Sequence, residues 1–214
     1  MPIPSLNILF IGNSFTQRND LPGLLAEMAE ERGIHIRHTL TSVSGASLRT
    51  HWNAGRAAQA LEKGGYDCVV LQEQSTLPVK NAERMAENVR LFDAAAKRAG
   101  AKTVLYMTWA RQFAPETQNA ITKAYKSIGK ELSAIVVPVG AAWQKFTAKH
   151  DLPILYDRDH SHPSFAGSYF AACVFLATLL KTNPIGIVAG GAKLDQSDRK
   201  VLQAAAWKQL RPRK

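Results

Sequence analysis

The sequence contains few cysteines and no long apolar run, and each absence excludes a class of protein. Cys68 and Cys173 are the two cysteines in 214 residues, and neither belongs to a C-x-x-C motif or a metal-ligand cluster. We expect both to be small buried core residues. No apolar run is long enough to predict a membrane span, and the first residues lack the basic segment and cleavage site of a signal peptide. The sequence therefore predicts a cytoplasmic protein, unless a signal has been removed, and leaves the oligomeric state open.

A concentrated block of charge is also missing, although the formal net charge is +10. Lysine and arginine are spread along the chain and interleaved with glutamate, as in residues 27–32, and only residues 211–214 form a basic cluster. Nucleic-acid-binding proteins concentrate their basic residues on one face, whereas scattered charge is typical of a solvated surface. We therefore expect no nucleic-acid partner, and an anionic substrate or surface fits the charge better.

Several motifs of common enzyme classes are absent. The residue two after Ser14 is Thr16, so the G-x-S-x-G elbow of α/β-hydrolases is missing. The sequence has no G-x-x-x-x-G-K-[ST] phosphate loop, and no G-x-G-x-x-G follows the first apolar run. The histidines are not spaced as metal ligands, so we expect neither a zinc site nor a cofactor.

Short apolar runs and helical patterns alternate along the chain. The runs that predict strands span residues 7–12, 34–41, 68–71, 103–108 and 135–139. Helical spacing predicts helices over residues 21–32, 48–63, 82–99, 117–132, 141–149, 164–180 and 197–210. Such alternation indicates an α/β fold, here a three-layer α/β/α sandwich of the flavodoxin-like type with a five-stranded parallel sheet. We expect a single domain over residues 1–214, with a C-terminal helix and a short basic tail from about residue 195.

Polar residues follow the predicted strands, and the carboxyl edge of a parallel sheet is where such folds assemble a site. The loops after the strands are therefore expected to bring together Ser14, Gly45, Gln74, Trp109, Arg111, Asp159 and His162. A serine hydroxyl is a poor nucleophile at neutral pH, and it needs a histidine to take its proton and a third group to orient that histidine. Ser14, His162 and Asp159 are the candidates, because a spacing of three residues lets the carboxylate reach Nδ1 of the imidazole. His160 and Asp157 lie in the same loop and remain rivals for these roles.

Three groups in these loops are candidate donors to a developing oxyanion. They are the backbone amide of Ser14, the amide of Gly45, which no side chain obstructs, and the side-chain NH2 of Gln74. Taken alone, Gly45 is equally well explained as a turn glycine and Gln74 as a polar residue at a strand end.

The order and spacing of these segments resemble the SGNH hydrolases, also called the GDSL-like esterase/lipase superfamily. Gly12-Asn13-Ser14-Phe15-Thr16 is similar to the first block of that family, Gly45 to the glycine of the second, and Asp159-His160-Ser161-His162-Pro163 to the last, Asp-x-x-His-Pro. The third block, Gly-x-Asn-Asp, is altered, because Gln72 stands at the glycine and Gln74 at the asparagine. The resemblance spans residues 7 to about 180 and implies a three-layer α/β/α fold and ester hydrolysis without a metal.

We therefore expect a serine esterase, with Ser14 as nucleophile, His162 as acid and base, and Asp159 as the orienting group. Asn13, Trp109 and Arg111 are expected to contact the substrate, because tryptophan stacks on sugar faces and arginine pairs with carboxylate or phosphate. These residues favour an acetyl or similar short-acyl ester of a carbohydrate-like alcohol. Three alternatives stay open: the tryptophan packs in the interior, the chain is a non-catalytic ligand-binding module on this fold, or it is an acyltransferase.

Overall fold

The computed structural model describes residues 5–208, and its centre is a parallel sheet. The strands are β1 (Ser5–Gly12), β2 (His35–Ser42), β3 (Cys68–Leu71), β4 (Lys102–Tyr106) and β5 (Ile135–Val137). Their order in the sheet is β2-β1-β3-β4-β5, and all neighbours run parallel. The strand order reverses at β1, and ligand sites of open parallel sheets form at the carboxyl end of such a switch point. The segment after β1 therefore occupies the favoured position for a site.

Helices occupy much of the remaining described chain. They are α1 (Ser14–Gln17), α2 (Leu21–Glu30), α3 (Leu48–Ala54), α4 (Arg56–Glu62), α5 (Leu77–Lys80), α6 (Ala82–Arg98), α7 (Gln118–Leu132), α8 (Val139–Thr147), α9 (Phe165–Leu179) and α10 (Gln196–Lys208). Short 3₁₀ helices span Arg18–Asp20 and Pro115–Thr117.

Both faces of the sheet are covered by helices. Successive strand residues point to opposite faces, so Ile8 and Phe10 of β1 join one apolar cluster and Leu9 and Ile11 join the other. The first cluster includes α2, α8, α9 and α10, and the second includes α3, α4, α6 and α7. The predicted three-layer α/β/α sandwich with a five-stranded parallel sheet is confirmed.

The helices differ from the sequence prediction at specific points. The helix predicted over residues 48–63 is interrupted at Gly55, whose φ of +77° is left-handed and suits glycine, and this splits it into α3 and α4. The one-turn helices α1 and α5 are not predicted, because four residues are too few to display a helical period.

No helix within residues 5–208 is both long enough and apolar enough to cross a membrane. The strongly apolar helix α9 instead packs against α2 and α10 in the interior. The two cysteines, Cys68 and Cys173, are buried and unpaired. The predicted basic cluster at 211–214 and the last residues of the predicted final helix lie outside the described residues.

Candidate active site

Ser14 is the first residue of α1 and follows β1 almost directly. Asn13 caps this helix with an extended backbone, and its Oδ1 accepts a hydrogen bond from the Phe15 amide, 3.1 Å away. The turn places the Ser14 hydroxyl at the carboxyl edge of the sheet, where Oγ lies 2.8 Å from Nε2 of His162. The fold therefore brings a serine and a histidine into hydrogen-bond contact although 148 residues separate them.

His162 is held from the other side of its ring by Asp159. Nδ1 of His162 lies 2.5 Å from Oδ2 of Asp159, while Oδ1 accepts hydrogen bonds from the amides of His162 (2.8 Å) and Ser161 (3.0 Å). With the Nδ1 proton donated to the carboxylate, Nε2 presents its lone pair to the Ser14 hydroxyl. This is the tautomer in which the histidine accepts a proton from the serine.

The surroundings of Asp159 favour its ionised form. Burial by itself raises the pKa of this carboxyl, but the hydrogen bonds from the His162 amide, the His162 ring and the Ser161 amide outweigh burial and hold the pKa well below its usual range. A permanently ionised Asp159 stabilises a positively charged His162 beside it.

The two rival residues of the same loop make other contacts. His160 directs its Nδ1 to Oε1 of Gln112, 2.8 Å away. Asp157 forms an ion pair with Arg18, whose guanidinium also lies 3.9 Å from Oδ2 of Asp159. Both His160 and Asp157 thus lie outside the serine–histidine–aspartate chain, and Arg18 links the end of the nucleophile turn to the loop of the histidine.

The groups expected to donate to an oxyanion follow β1, β2 and β3 at one edge of the sheet. Within residues 5–208 the amides of Ser14 and Gly45 donate no hydrogen bond, and the space in front of Gly45 is open. Oε1 of Gln74 accepts hydrogen bonds from the amides of Thr76 (2.9 Å) and Leu77 (3.0 Å), which fixes the orientation of its carboxamide. The NH2 group of Gln74 has no hydrogen-bond partner in the described chain, so none of the three expected donors is engaged by another residue there.

A buried carboxylate connects the loops that carry Gly45 and Gln74. The side chain of Glu73 is 0% exposed. Its Oε1 accepts hydrogen bonds from the amides of Leu48 (3.0 Å) and Gln74 (2.7 Å), and its Oε2 accepts one from Nδ2 of Asn88 (2.8 Å). Burial raises the pKa of Glu73, and these hydrogen bonds act in the opposite direction. Glu73 is not among the residues expected at the site, although an acid directly after a buried strand signals a carboxylate that needs internal partners.

The substrate-binding role expected for Asn13 is not supported, because its side chain is 2% exposed. Oδ1 of Asn13 is occupied by the Phe15 amide, and its Nδ2 donates to the carbonyl of Ala46, 2.9 Å away. The backbone amide of Asn13 donates to Oε1 of Gln72 at 2.8 Å. The side chain of Asn13 thus connects the turn of Ser14 to the loop of Gly45 through hydrogen bonds.

The altered third block stabilises the same turn. Oε1 of Gln72 also accepts a hydrogen bond from Oγ1 of Thr16 (3.0 Å), and its Nε2 donates to the carbonyl of Glu73 (2.6 Å). A Cβ on Gly12 would lie 2.6 Å from Oε1 of Gln72, so a larger residue at this position would displace the Gln72 carboxamide from these hydrogen bonds. The side chain of Gln72 therefore joins the segments that follow β1 and β3 through hydrogen bonds.

The expectation that Trp109 stacks on a sugar is wrong. Its side chain is 2% exposed and stacks on Trp143, with ring centroids 3.9 Å apart and planes 8° from parallel. Nε1 of Trp109 donates to the carbonyl of Ser161, so the indole supports the loop before His162 from inside. Arg111 is exposed and makes no ion pair within the described residues, so its role in substrate binding stays a prediction.

In the described part of the chain, no group of three or more histidine, cysteine, aspartate or glutamate side chains is arranged to hold a metal ion.

The fold and this geometry define a three-layer α/β/α protein with a hydrolase-like site at the carboxyl edge of its sheet. No model of a known protein family matches the sequence, and no curated protein matches it. A solved structure from Slackia heliotrinireducens, assigned to the SGNH hydrolases, is 30% identical, covers 82% of this chain and 99% of its own, and has a TM-score of 0.69. The chain belongs to the SGNH hydrolases, as the sequence predicts.

More distant structures share the fold. A DUF4886 family protein from Bacteroides uniformis is 20% identical, with coverage of 96% of this chain and 95% of its own and a TM-score of 0.81. A variant of an acetyl-xylooligosaccharide esterase from Geobacillus is 18% identical, with coverage of 84% and 96% and a TM-score of 0.69. The three-layer fold of this chain is thus shared with structures that include an esterase.

Proposed function

We propose that the protein is a serine esterase that hydrolyses carboxylic esters with Ser14 as its nucleophile. The observation that carries this proposal is the hydrogen-bonded chain from Ser14 Oγ to His162 Nε2 (2.8 Å) and from His162 Nδ1 to Asp159 Oδ2 (2.5 Å). A serine in this arrangement transfers its proton to the histidine as it attacks. Membership of the SGNH hydrolases supports the same class of reaction.

The reaction proceeds in two halves. In the first, Ser14 Oγ attacks the acyl carbon while Nε2 of His162 takes the hydroxyl proton, and the amides of Ser14 and Gly45 and the NH2 group of Gln74 donate to the oxyanion. The tetrahedral intermediate collapses as His162 returns the proton to the leaving alcohol, which leaves an acyl group on Ser14. In the second half, water attacks this acyl-enzyme while His162 takes a proton from it, and His162 returns that proton to Ser14 Oγ as the bond to the acyl group breaks and the carboxylic acid departs. Asp159 orients the histidine and stabilises its charge throughout.

For the substrate, we propose a short-acyl ester, acetyl in particular, of a carbohydrate-like alcohol. Arg111 is exposed in the loop after β4, and the amide of the next residue, Gln112, is hydrogen bonded to the carbonyl of His160 in the loop of the histidine. A basic side chain beside the site suits an alcohol that carries polar or anionic groups. The esterase from Geobacillus among the structural neighbours acts on acetylated xylooligosaccharides, which is consistent with this class of alcohol.

The proposal is tested with a fluorophosphonate probe and with p-nitrophenyl acetate. We expect the probe to label Ser14, and we expect Ser14→Ala and His162→Ala to abolish both labelling and turnover. Ser127→Ala on α7 and His38→Ala on β2 are matched controls, since both residues are exposed and lie outside the site, and both variants should retain the wild-type rate. Absence of labelling and of hydrolysis in the wild type would overturn the esterase and favour a ligand-binding module. Transfer of the acyl group to an added alcohol in preference to water would make the protein an acyltransferase.

A further inference from the structure

An exposed aromatic pair, Phe113 and His160, lies in the segments that follow β4 and precede His162. The side chain of Phe113 is 77% exposed, the largest exposed fraction among the large hydrophobic residues of the described chain. Its ring packs on the imidazole of His160, with centroids 4.3 Å apart and planes inclined at 48°. A large apolar surface held open to solvent next to a reactive group is the usual composition of a ligand subsite.

Hydrogen bonds fix this pair before any ligand arrives. Nδ1 of His160 lies 2.8 Å from Oε1 of Gln112, and the amide of Gln112 donates to the carbonyl of His160 at 3.0 Å. The amide of His160 donates to the carbonyl of Asp157, and its φ of +58° is left-handed, which an isolated non-glycine residue adopts only when its surroundings impose it. A surface that is already ordered loses little conformational entropy on binding.

The chemistry of the reaction decides which half of the substrate meets this surface. Nε2 of His162 gives its proton to the leaving oxygen, so the alcohol half of an ester lies on the histidine side of Ser14. The proposed oxyanion donors Gly45 and Gln74 belong to the loops after β2 and β3, whereas Phe113 follows β4 and His160 is two residues from His162. The aromatic pair is therefore expected on the side of the leaving alcohol and not on that of the acyl group.

Polar groups lie on the residues next to the aromatic pair. Nε2 of His160 has no hydrogen-bond partner within residues 5–208, and Arg111 in the same segment as Phe113 has no acidic partner there. A pyranose ring has an apolar C–H face and a rim of hydroxyl groups, so an aromatic surface with donors and acceptors at its edge is complementary to it.

We propose that Phe113 and His160 form a platform on which the sugar ring of the alcohol half stacks, with Arg111 and Gln112 at the edge of that ring. This proposal rests on the proposed function and assigns the substrate its carbohydrate class. It replaces Trp109, which is buried, as the aromatic residue that contacts the sugar.

The test compares two acetyl esters that differ only in their alcohol. Hydrolysis of methyl tri-O-acetyl-β-xylopyranoside and of ethyl acetate is followed by acid release in the wild type and in Phe113→Ala. Loss of the stacking surface is expected to lower kcat/KM about tenfold for the sugar ester, mainly through KM, and to leave ethyl acetate within about twofold. Phe113→Trp should restore the sugar ester. Val188→Ala is the control, since Val188 is also exposed but lies near the end of α2 at the opposite edge of the sheet.

Binding of xylotriose, measured by calorimetry, separates failure of the platform from failure of the esterase. If the wild type hydrolyses ethyl acetate, and Phe113→Ala slows both esters equally or slows neither, the platform is overturned and the esterase assignment stands. A wild type without esterase activity that binds xylotriose, and loses this binding in Phe113→Ala, supports the platform and overturns the esterase. Absence of both activity and binding overturns both.

Discussion

The carboxylate of Glu73 accepts a hydrogen bond from the backbone amide of Leu48 at 3.0 Å, across a sequence separation of 25 residues. Leu48 begins α3 directly after the loop of Gly45, and the same carboxylate oxygen accepts from the amide of Gln74. One buried group therefore sets the distance between two of the proposed oxyanion donors.

Glu73→Gln is expected to slow hydrolysis and to lower stability. The new NH2 group either faces Nδ2 of Asn88, which is itself a donor, or displaces a hydrogen bond from Leu48 or Gln74. An unpaired buried polar group costs about 1–3 kcal/mol in the free energy of unfolding. Because either mismatch disturbs the group that joins the two loops, kcat should fall about tenfold with little change in KM. Urea unfolding and p-nitrophenyl acetate kinetics measure the two effects.

Asp93→Asn is the matched control for that variant. Asp93 is 4% exposed and lies on α6, which also carries Asn88, but its partners are Oγ1 of Thr103 (2.7 Å) and Nζ of Lys97 (2.8 Å), outside the site. We expect comparable destabilisation and an unchanged kcat. Equal losses of kcat in both variants would mean that Glu73 acts only through overall stability.

Gln74 offers a test of the altered third block with the fold held constant. Gln74→Glu keeps the oxygen that accepts from the amides of Thr76 and Leu77 and replaces the NH2 donor with a second oxygen, whose negative charge also opposes an oxyanion. Loss of one oxyanion donor typically lowers kcat on the order of 10²–10³-fold. We expect a loss in that range with unchanged thermal stability, and a smaller loss in Gln74→Asn, which retains a donor on a shorter arm. A Gln74→Glu variant with the wild-type kcat would remove Gln74 from the mechanism.

Asp159→Asn is expected to lower kcat on the order of 10³–10⁴-fold, because a carboxamide stabilises the wrong tautomer of the histidine and supplies no charge. Asp157→Asn, in the same loop, removes the ion pair with Arg18 but leaves the ring of His162 in place, so its effect should be several-fold at most. Steady-state kinetics of the two variants at one pH make the comparison. The reverse ranking would assign the orienting role to Asp157.

The burial of His51 predicts that the free energy of unfolding decreases as the pH falls. Its Nε2 donates to the carbonyl of Gly12 at 2.7 Å, its side chain is 3% exposed, and burial lowers its pKa below the usual 6.5, more than its hydrogen bond to Gly12 raises it. Below pH 6.5 the unfolded chain binds a proton at this residue more readily than the folded chain does. The stabilisation is therefore complete above that pH and is lost as the pH falls.

Glutamine reaches the same carbonyl without titrating, so it isolates this effect. The free energy of unfolding, measured in urea between pH 8 and pH 5, should decline more steeply in the wild type than in His51→Gln. Parallel curves for the two proteins would exclude His51 as the cause.

Much of the fold could be predicted because strands of a covered parallel sheet are continuous apolar runs. The prediction for β3, residues 68–71, coincides with the observed strand, and those for β1 and β2 differ only at their ends. The break at Gly55 could not be predicted, since the apolar spacing continues on both sides of it, and the bounds of α3 and α4 depend on how each packs on the sheet.

The sequence predicts the position of a site residue only where that residue belongs to a short motif. The spacing of Asp159 and His162 limits their geometry, so their contact follows from local structure. The orientation of the Trp109 side chain does not follow from local structure, because β4 ends at Tyr106 and the alternation of strand side chains stops there. The roles of Glu73 and Asn13 depend on hydrogen-bond partners from distant segments, and no local sequence pattern identifies those partners.

The stacked indoles of Trp109 and Trp143 have an optical consequence. Two such chromophores in close contact couple their electronic transitions and produce paired bands of opposite sign in circular dichroism. Because Trp109 also holds the carbonyl of Ser161, this signal depends on the packing beneath the histidine loop. This circular-dichroism signal therefore distinguishes a variant that has lost only a reacting group from one in which the packing beneath the histidine loop has changed.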